Sequence, residues 1–370
     1  MGNIYQNRVS PGQPMYLQVQ DEIRGMIKNG ELLPGKRLPA SVELARQLGT
    51  STHTVHSALS SLVKEGLLER RQKLGTVVKS SDPMISRVAI HYDGDFWSRP
   101  EMEYSMRLHE ALERHLRERG IECRIFVNSM IKKKTQGLSP ELVPLIKKRV
   151  VQALLIPLSG LDHRAQLEEL RIPYSMHTGT DLPRTVGTDY HQMLELAVKN
   201  LKDAGCRSVG IISQFGLKAK WFYDDYLSIV KESGLSTRDE WILHNDWEAP
   251  SMSSYGDHQF QRLWSQKEKP DGLFVYHDVN ARGVINAICR LGVDIPGKLK
   301  LIVHHSEGVD FNQPFPLMSV TLSPDDVADA MIRQIYLQLN GKSADRVLIP
   351  YKLKDLNAQA FADTAMSIAK

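Results

Sequence analysis

The stretch that decides the fold is SVELARQLGTSTHTVHSALSSLVKEGLLERRQKLGTVV, residues 41–78. Residues 41–49 have apolar side chains at helical spacing and end in a glycine, which predicts a short helix. After a tight turn, residues 51–66 predict a second helix with Ser51 as its N-cap. The first half of the stretch therefore predicts two consecutive helices joined by a tight turn.

The flanking segments complete a small domain. Residues 16–30 predict an amphipathic helix before this pair. Residues 67–80 predict two short strands that turn at Lys73-Leu74-Gly75. Helix, helix, turn, helix and hairpin is the element order of a winged helix-turn-helix domain.

The positive charge of the chain is concentrated near its beginning. The whole sequence has 47 Lys and Arg against 43 Asp and Glu, whereas residues 1–80 have 11 against 6. The excess therefore lies within this first segment. A basic segment on a near-neutral body indicates an anionic partner such as nucleic acid, unless the imbalance is a chance feature of the surface.

The motifs of residues 14–78 resemble the DNA-binding domain of the GntR family. The resemblance rests on G-x-L-x-P-G-x-R-L-P, ELA-x-x-L-G, T-V-x-x-AL-x-x-L-x-x-EGLLERRQ and a final GT. It covers essentially the whole of this stretch. It implies that residues 1–79 form a winged helix-turn-helix domain that binds operator DNA.

The predicted recognition helix departs from the pattern of that family. The family usually has arginines where this chain has Val42, Thr52 and His56. Since such arginines commonly contact phosphates or guanine, the departures predict an operator different from the family's usual one. They leave the buried apolar stripe of the helix, and hence the fold, intact.

Polar side chains and flanking cations are the candidates for DNA contact. Hydroxyl and imidazole groups can hydrogen-bond to base edges, while Lys and Arg can neutralise phosphates. The residues predicted to contact DNA are Lys36, Arg37, Ser51, Thr52, His53, His56, Arg70, Arg71, Lys73 and Gly75. Two alternatives stay open: a degenerate helix that no longer reads bases, and histidines and serines that are plain surface residues.

A short polar linker at residues 80–86 precedes a larger predicted α/β domain at residues 87–370. In this domain strand patterns alternate with helix patterns, and the strands are nearly continuous apolar runs such as QALLIPL at residues 152–158. Such strands form parallel sheets covered by helices on both faces. The number of elements predicts two doubly wound lobes, and the sequence has neither a GxGxxG nor a GxxxxGK[ST] motif.

This body resembles the effector-binding domain of the LacI family, which has the fold of periplasmic sugar-binding proteins. The resemblance covers most of residues 87–357 and rests on VGTD before LAVKNLKDAGCRSVGII and on KPDGLFVYHDVNARGVINAICRLGVDIPGKLKLI. It implies lobe one at about 87–187 and 306–342 and lobe two at about 188–305 and 343–358. It also implies a ligand bound between the lobes, at the carboxyl ends of their strands.

The same resemblance implies a set of effector-binding residues. Aromatic rings suit the apolar faces of sugars, and carboxylates suit their hydroxyl groups. The predicted contacts are Asp93, Asp95, Phe96, Trp97, Trp247, Asp278 and His304. Other interpretations stay open: the aromatic residues and the histidine can belong to the core, and Asp278 can cap the following helix. Aromatic residues in KWFYDD (220–225), where sugar-binding relatives often have arginine, predict a ligand other than an ordinary free sugar.

Composition argues against several other classes of protein. No apolar run is long enough to span a bilayer, and the first residues contain no apolar signal segment. The three cysteines are far apart, which predicts reduced thiols in a cytoplasmic protein. No spacing predicts a metal site or a cofactor. No nucleophile elbow or phosphate loop supports an enzyme.

Together the two resemblances predict a bacterial transcription regulator, most simply a repressor, of the arabinose-repressor type. It is expected to bind operator DNA as a homodimer, with two heads on a pseudo-palindrome. A small molecule, sugar-like or a sugar derivative, is expected to control it. The alternatives are a regulator with an empty or structural pocket, a solute-binding protein for transport, and an enzyme.

Overall fold

The computed structural model describes most of the chain. The described residues are 14–28, 31–32, 35–71, 75–79, 85–93, 103–128, 137–157, 163–216, 218–245, 252–311 and 313–356.

The head, which is the N-terminal domain predicted at residues 1–79, has the predicted order of elements. It consists of helices α1 (Met15–Lys28), α2 (Ser41–Leu48) and α3 (Thr52–Lys64), and of strands β1 (Leu68–Arg71) and β2 (Gly75–Val78). The two strands pair antiparallel. The winged helix-turn-helix arrangement is therefore confirmed.

The tight turn between α2 and α3 follows from two residues. Gly49 has a φ of 62°, a left-handed conformation that only glycine adopts without steric cost, and it ends α2. Ser51 then caps α3, because its hydroxyl oxygen accepts a hydrogen bond from the Thr54 backbone N–H at 3.0 Å. Leu44, Val55 and other apolar residues of the helices and hairpin form one buried core.

The first lobe of the body is built on a six-stranded sheet. Its strands are β3 (Arg87–Asp93), β4 (Glu122–Asn128), β5 (Ala153–Ile156), β6 (Tyr174–His177), β7 (Thr185–Thr188) and β13 (Val347–Ile349), in the order β13-β7-β6-β5-β3-β4. The five strands from β7 to β4 pair parallel. The helices between them are α4 (Glu103–Glu118), α5 (Leu142–Lys147) and α6 (Arg164–Leu170).

The second lobe has a six-stranded sheet of its own. Its strands are β8 (Val209–Ile212), β9 (Ile242–Leu243), β10 (Gly272–Val275), β11 (Lys300–Ser306), β12 (Met318–Leu322) and β14 (Lys352–Asp355), in the order β14-β12-β11-β10-β8-β9. Its helices are α7 (Tyr190–Asp203), α8 (Lys220–Ser233), α9 (Met252–Trp264) and α10 (Asp278–Leu291), and α11 (Pro324–Leu339) follows β12. β14 pairs antiparallel to β12, so this sheet has one antiparallel edge strand.

The strand pairing divides the lobes differently from the sequence prediction. Residues 306–342 were expected in lobe one, but β12 pairs with β11 and so belongs to the sheet of lobe two. The chain passes from one compact unit to the other within α11, after Val327. It then adds β13 to the sheet of lobe one and β14 to that of lobe two. An apolar strand pattern does not reveal which sheet a strand will join.

Helices α9 and α10 pack with their backbones in contact. A Cβ atom on Gly283 would lie 2.0 Å from the Ser253 carbonyl oxygen, and one on Gly256 would lie 2.2 Å from that of Asn280. Only glycine fits at either position. The close packing holds α10, which begins at Asp278, against its neighbour.

Candidate functional site

The exposed face of α3 carries the predicted reading residues. Thr52, His53 and His56 are exposed, whereas Val55 and Leu59 on the opposite side are buried. The cap made by Ser51 fixes where the helix starts. This face therefore presents hydroxyl and imidazole groups to solvent, with no lysine or arginine of its own before Lys64.

A wing arginine lies across this face. The Arg70 Nη2 atom is 2.7 Å from the Ser60 hydroxyl oxygen, to which it donates, and 3.2 Å from His56 Nε2. Since a guanidinium can only donate, His56 accepts through Nε2 and carries its proton on Nδ1. The structure thus brings together two predicted DNA contacts, one from β1 and one from α3.

The other wing residues lie beside β2. The connector before α2 pairs with this strand, with Leu38 N–H donating to the Thr76 carbonyl at 2.9 Å. This pairing places the Arg37 Nε atom 3.7 Å from where a Cβ of Gly75 would be, and Gly75 has a φ of 87°. Arg71 is exposed and pairs with Glu69 at 2.6 Å. Lys73 lies outside the described residues.

Lys36 makes a contact that the sequence did not predict. Its ammonium group donates to Asp329 on α11 at 2.7 Å, and Arg119, just after α4, donates to the same oxygen at 3.1 Å. Burial raises the pKa of Asp329, but His115, Lys36 and Arg119 lower it by more. The pKa therefore lies well below its ordinary value, and Asp329 is an ionised carboxylate at neutral pH. In this structure Lys36 therefore joins the head to lobe one.

Asp278, at the carboxyl end of β10, holds the end of the neighbouring strand. Its two carboxylate oxygens accept hydrogen bonds from the Ser306 backbone N–H at 2.8 Å and the Ser306 hydroxyl at 2.6 Å. His304 Nδ1 lies 3.4 Å away. Burial raises the pKa of Asp278, but the His304 and His277 rings and the Ser306 hydroxyl lower it by more, and the group stays ionised.

The capping role suggested for Asp278 is taken by its neighbour. The N-cap of α10 is His277, whose Nδ1 accepts from the Val279 N–H at 3.4 Å, in a backbone conformation with φ 85°. His304 is buried against Tyr276 and Tyr351.

Aromatic rings surround the end of β8, and sequence reasoning noted only part of this group. Phe215 stacks on Tyr276 with a centroid distance of 5.2 Å, and both Phe215 and Tyr190 contact Trp221 at 5.6 Å. Trp221, at the edge of the group, is 54% exposed. A signal for the group was present in the sequence, since Phe215 follows a strand and Trp221 is the second residue of a helix.

In lobe one, Asp93 lies in a buried cluster with two histidines that the sequence analysis missed. His163 Nε2 is 2.7 Å from Asp93 Oδ1, and His91 Nδ1 is 3.6 Å from the same oxygen. The Ser139 backbone N–H donates to His91 Nε2 at 3.0 Å. Burial lowers the pKa of His91 to about 4, so its ring is neutral at pH 7, with the proton on Nδ1.

The residue types of this cluster are those that bind transition metals. One ligand atom from each of the three lies within 4.8 Å of the others. A histidine that binds a metal usually donates through its other ring nitrogen. Here His91 accepts through that nitrogen, so binding a metal through Nδ1 would leave an imidazolate or break the bond from Ser139. The geometry therefore favours an Asp93 carboxylate hydrogen-bonded to His163 over a metal site.

Four other predicted effector contacts cannot be placed. Asp95, Phe96, Trp97 and Trp247 lie outside the described residues. Among the helices that the structure does describe, none is both long and apolar enough to cross a bilayer.

Family models match a segment of the head and a segment of the body. Residues 15–78 match the gntR family of bacterial regulatory proteins, and residues 198–355 match the periplasmic binding protein-like domain.

Curated relatives match over different lengths. The repressor NagR of Bacillus subtilis is 36% identical over 115 residues, which are 31% of this chain and 39% of NagR. The repressor PurR of Pasteurella multocida is 24% identical over 333 residues, which are 83% of this chain and 94% of PurR.

Solved structures show the same fold. A complex of the transcriptional regulator CelR with cellobiose has a TM-score of 0.57 at 14% identity and covers 86% of this chain and 98% of its own. A transcriptional regulator from Yersinia pestis also has a TM-score of 0.57, at 19% identity over 74% of this chain and 98% of its own. Residues 15–78 are therefore similar to the gntR family of bacterial regulatory proteins and residues 198–355 to the periplasmic binding protein-like domain, in a chain with the fold of these solved regulators.

Proposed function

We propose that this protein is a bacterial transcription repressor that binds operator DNA through its head and a small molecule through its body. The observation that carries the proposal is the exposed polar face of α3, flanked by Arg70, Arg71 and Arg37, in a domain that matches the gntR family. The curated relatives NagR and PurR are themselves named as repressors.

On DNA, the exposed face of α3 enters the major groove and the wing cations contact phosphates. Thr52, His53 and His56 offer the donors and acceptors that base edges require. Arg37 and Arg71 neutralise phosphates beside them. Two copies of the chain form a homodimer whose heads bind the two halves of a pseudo-palindrome. The protein acts in the cytoplasm, where bacterial operators are found.

The body binds a sugar derivative with at least one apolar face. Trp221, half-exposed and backed by Tyr190 and Phe215, supports this because a ring face of that kind suits stacking. The structural neighbour with cellobiose supports the ligand class. Asp278 and His304 lie at the strand ends of lobe two, where Asp278 accepts from Ser306. Asp93 lies at the end of a strand of lobe one, next to His163.

The ligand changes DNA affinity only to the extent that it binds the two states of the repressor differently. A ligand that favours the DNA-free state releases the operator.

The test uses a fluorescent duplex from upstream of the protein's own gene and a scrambled duplex of equal length. We expect the full chain to bind the first more tightly, and deletion of residues 1–80 to abolish binding. A thermal-shift screen with sugars, sugar phosphates and polyols then searches for a ligand that stabilises both the full chain and the chain without residues 1–80. Equal affinity for both duplexes, or binding that survives the deletion, would refute the proposal.

A further inference from the structure

We propose that Arg70, although it belongs to the wing, is a base-reading residue of the recognition surface, positioned by His56 and Ser60. The proposal rests on the DNA-binding function proposed above and assigns a specificity role to one side chain.

The alternation of side chains along β1 explains where Arg70 points. Successive residues of a strand face opposite sides, so Leu68 and Arg70 share one face while Glu69 and Arg71 share the other. Leu68 is buried in the core of the head with the apolar side of α3. The face of β1 that carries Arg70 is therefore the one that packs on α3.

The two partners of Arg70 are one helical turn apart. His56 and Ser60 stand at positions i and i+4 of α3, so they lie one above the other on the same face. Arg70 Nη2 bonds to both, at 3.2 and 2.7 Å. Two bonds to a fixed helix restrict a long side chain that would otherwise sample many rotamers, which lowers the entropy lost on binding DNA.

The bonds leave donors available for DNA. Within the part of the chain that the structure describes, the side-chain hydrogen bonds of Arg70 come from Nη2, whereas Nη1 and Nε carry three further N–H groups. Guanine presents two acceptors, O6 and N7, in the major groove, and arginine is their commonest partner. Arg70 therefore supplies the guanidinium that α3 itself lacks from Thr52 to Val63.

Arg71 provides the contrast within the same strand. It is exposed, like Arg70, but lies on the other face of β1 and pairs with Glu69. An exposed pair of this kind is weak and opens readily for a phosphate. Arg71 should therefore contribute charge, and Arg70 sequence preference.

The experiment selects binding sites from a library of random-sequence duplexes with the purified full-length chain, followed by sequencing of the bound DNA. It compares the unaltered chain with Arg70→Lys, which retains the charge but loses the forked donors, and with the matched control Arg71→Lys. Ser60→Ala tests positioning, and circular dichroism confirms that each variant is folded.

We expect the unaltered chain to enrich a motif that contains a guanine, preferred about 5- to 150-fold over the other bases at that position. This preference for guanine should be lost in Arg70→Lys and retained in Arg71→Lys. Ser60→Ala should weaken the same preference partially. An unchanged motif in Arg70→Lys would overturn the inference while leaving DNA binding intact. If the unaltered chain enriches no motif and binds no duplex, the proposed function itself fails.

Discussion

The head and the body use the same types of polar residue in opposite environments. On α3 and β1, histidine, serine and arginine side chains meet at the surface, as Arg70 does with His56 and Ser60. At the strand ends of the body, histidine, serine and aspartate are buried and bonded to one another, as Asp278 is with Ser306. Polar groups that remain exposed are available to a partner, whereas buried ones mainly hold the fold together.

The largest effect should come from breaking the buried group in lobe two. Asp278→Ala removes the acceptor of both Ser306 bonds and leaves buried donors unpaired, which should cost about 3–5 kcal/mol of unfolding free energy. Chemical denaturation of the full chain measures this loss. The control is Asp224→Ala on α8, whose exposed pair with Lys220 should cost less than about 0.5 kcal/mol. Equal losses in the two variants would contradict the comparison.

Buried His91 in lobe one should make the free energy of unfolding depend on pH. Its folded pKa of about 4 is below the unfolded value of about 6.5, so the unfolded chain binds the proton first as the pH falls. Stability should therefore decrease from about pH 6.5 to about pH 4, by about 3 kcal/mol, and this contribution should change no further at lower pH.

His91→Gln tests the assignment, because glutamine does not titrate and can still accept from Ser139. The pH dependence of denaturation between pH 7 and pH 4 should be flatter in this variant than in the unaltered chain. His191→Gln is the control, since His191 is exposed and its pKa is raised by Asp225. An identical profile in His91→Gln would show that His91 does not carry the effect.

A smaller effect is expected at the start of α3. Ser51→Ala removes the cap on Thr54 and should cost about 1 kcal/mol locally. Ser51→Asp retains a capping oxygen but adds a negative charge where phosphates are expected. Hydrogen exchange of residues 51–64 in the full chain should therefore accelerate only in Ser51→Ala, whereas DNA affinity should fall in both. Faster exchange in both variants would contradict the capping role.

The sequence predicted local features well and contacts between distant segments poorly. The helices of the head and the cap by Ser51 follow from periodicity and capping chemistry, which act over a few residues. The contact of Arg70 with α3 depends on the side from which β1 packs, and the pairing of Lys36 with Asp329 spans 293 positions. The cluster of Asp93 with His163 likewise joins residues 70 positions apart. Such contacts depend on the assembled fold, which local patterns do not specify.

The most direct test of the account is the salt dependence of binding to the upstream duplex. For the unaltered chain, log Kd should rise linearly with log salt concentration, because phosphate contacts release counterions. The slope should decrease by about 0.9 for Arg71→Ala and again for Arg37→Ala, and should be unchanged in Arg70→Lys, which keeps its charge. A salt-independent affinity, or a slope unaffected by losing Arg71 and Arg37 together, would contradict the claim that the exposed face of the head binds DNA.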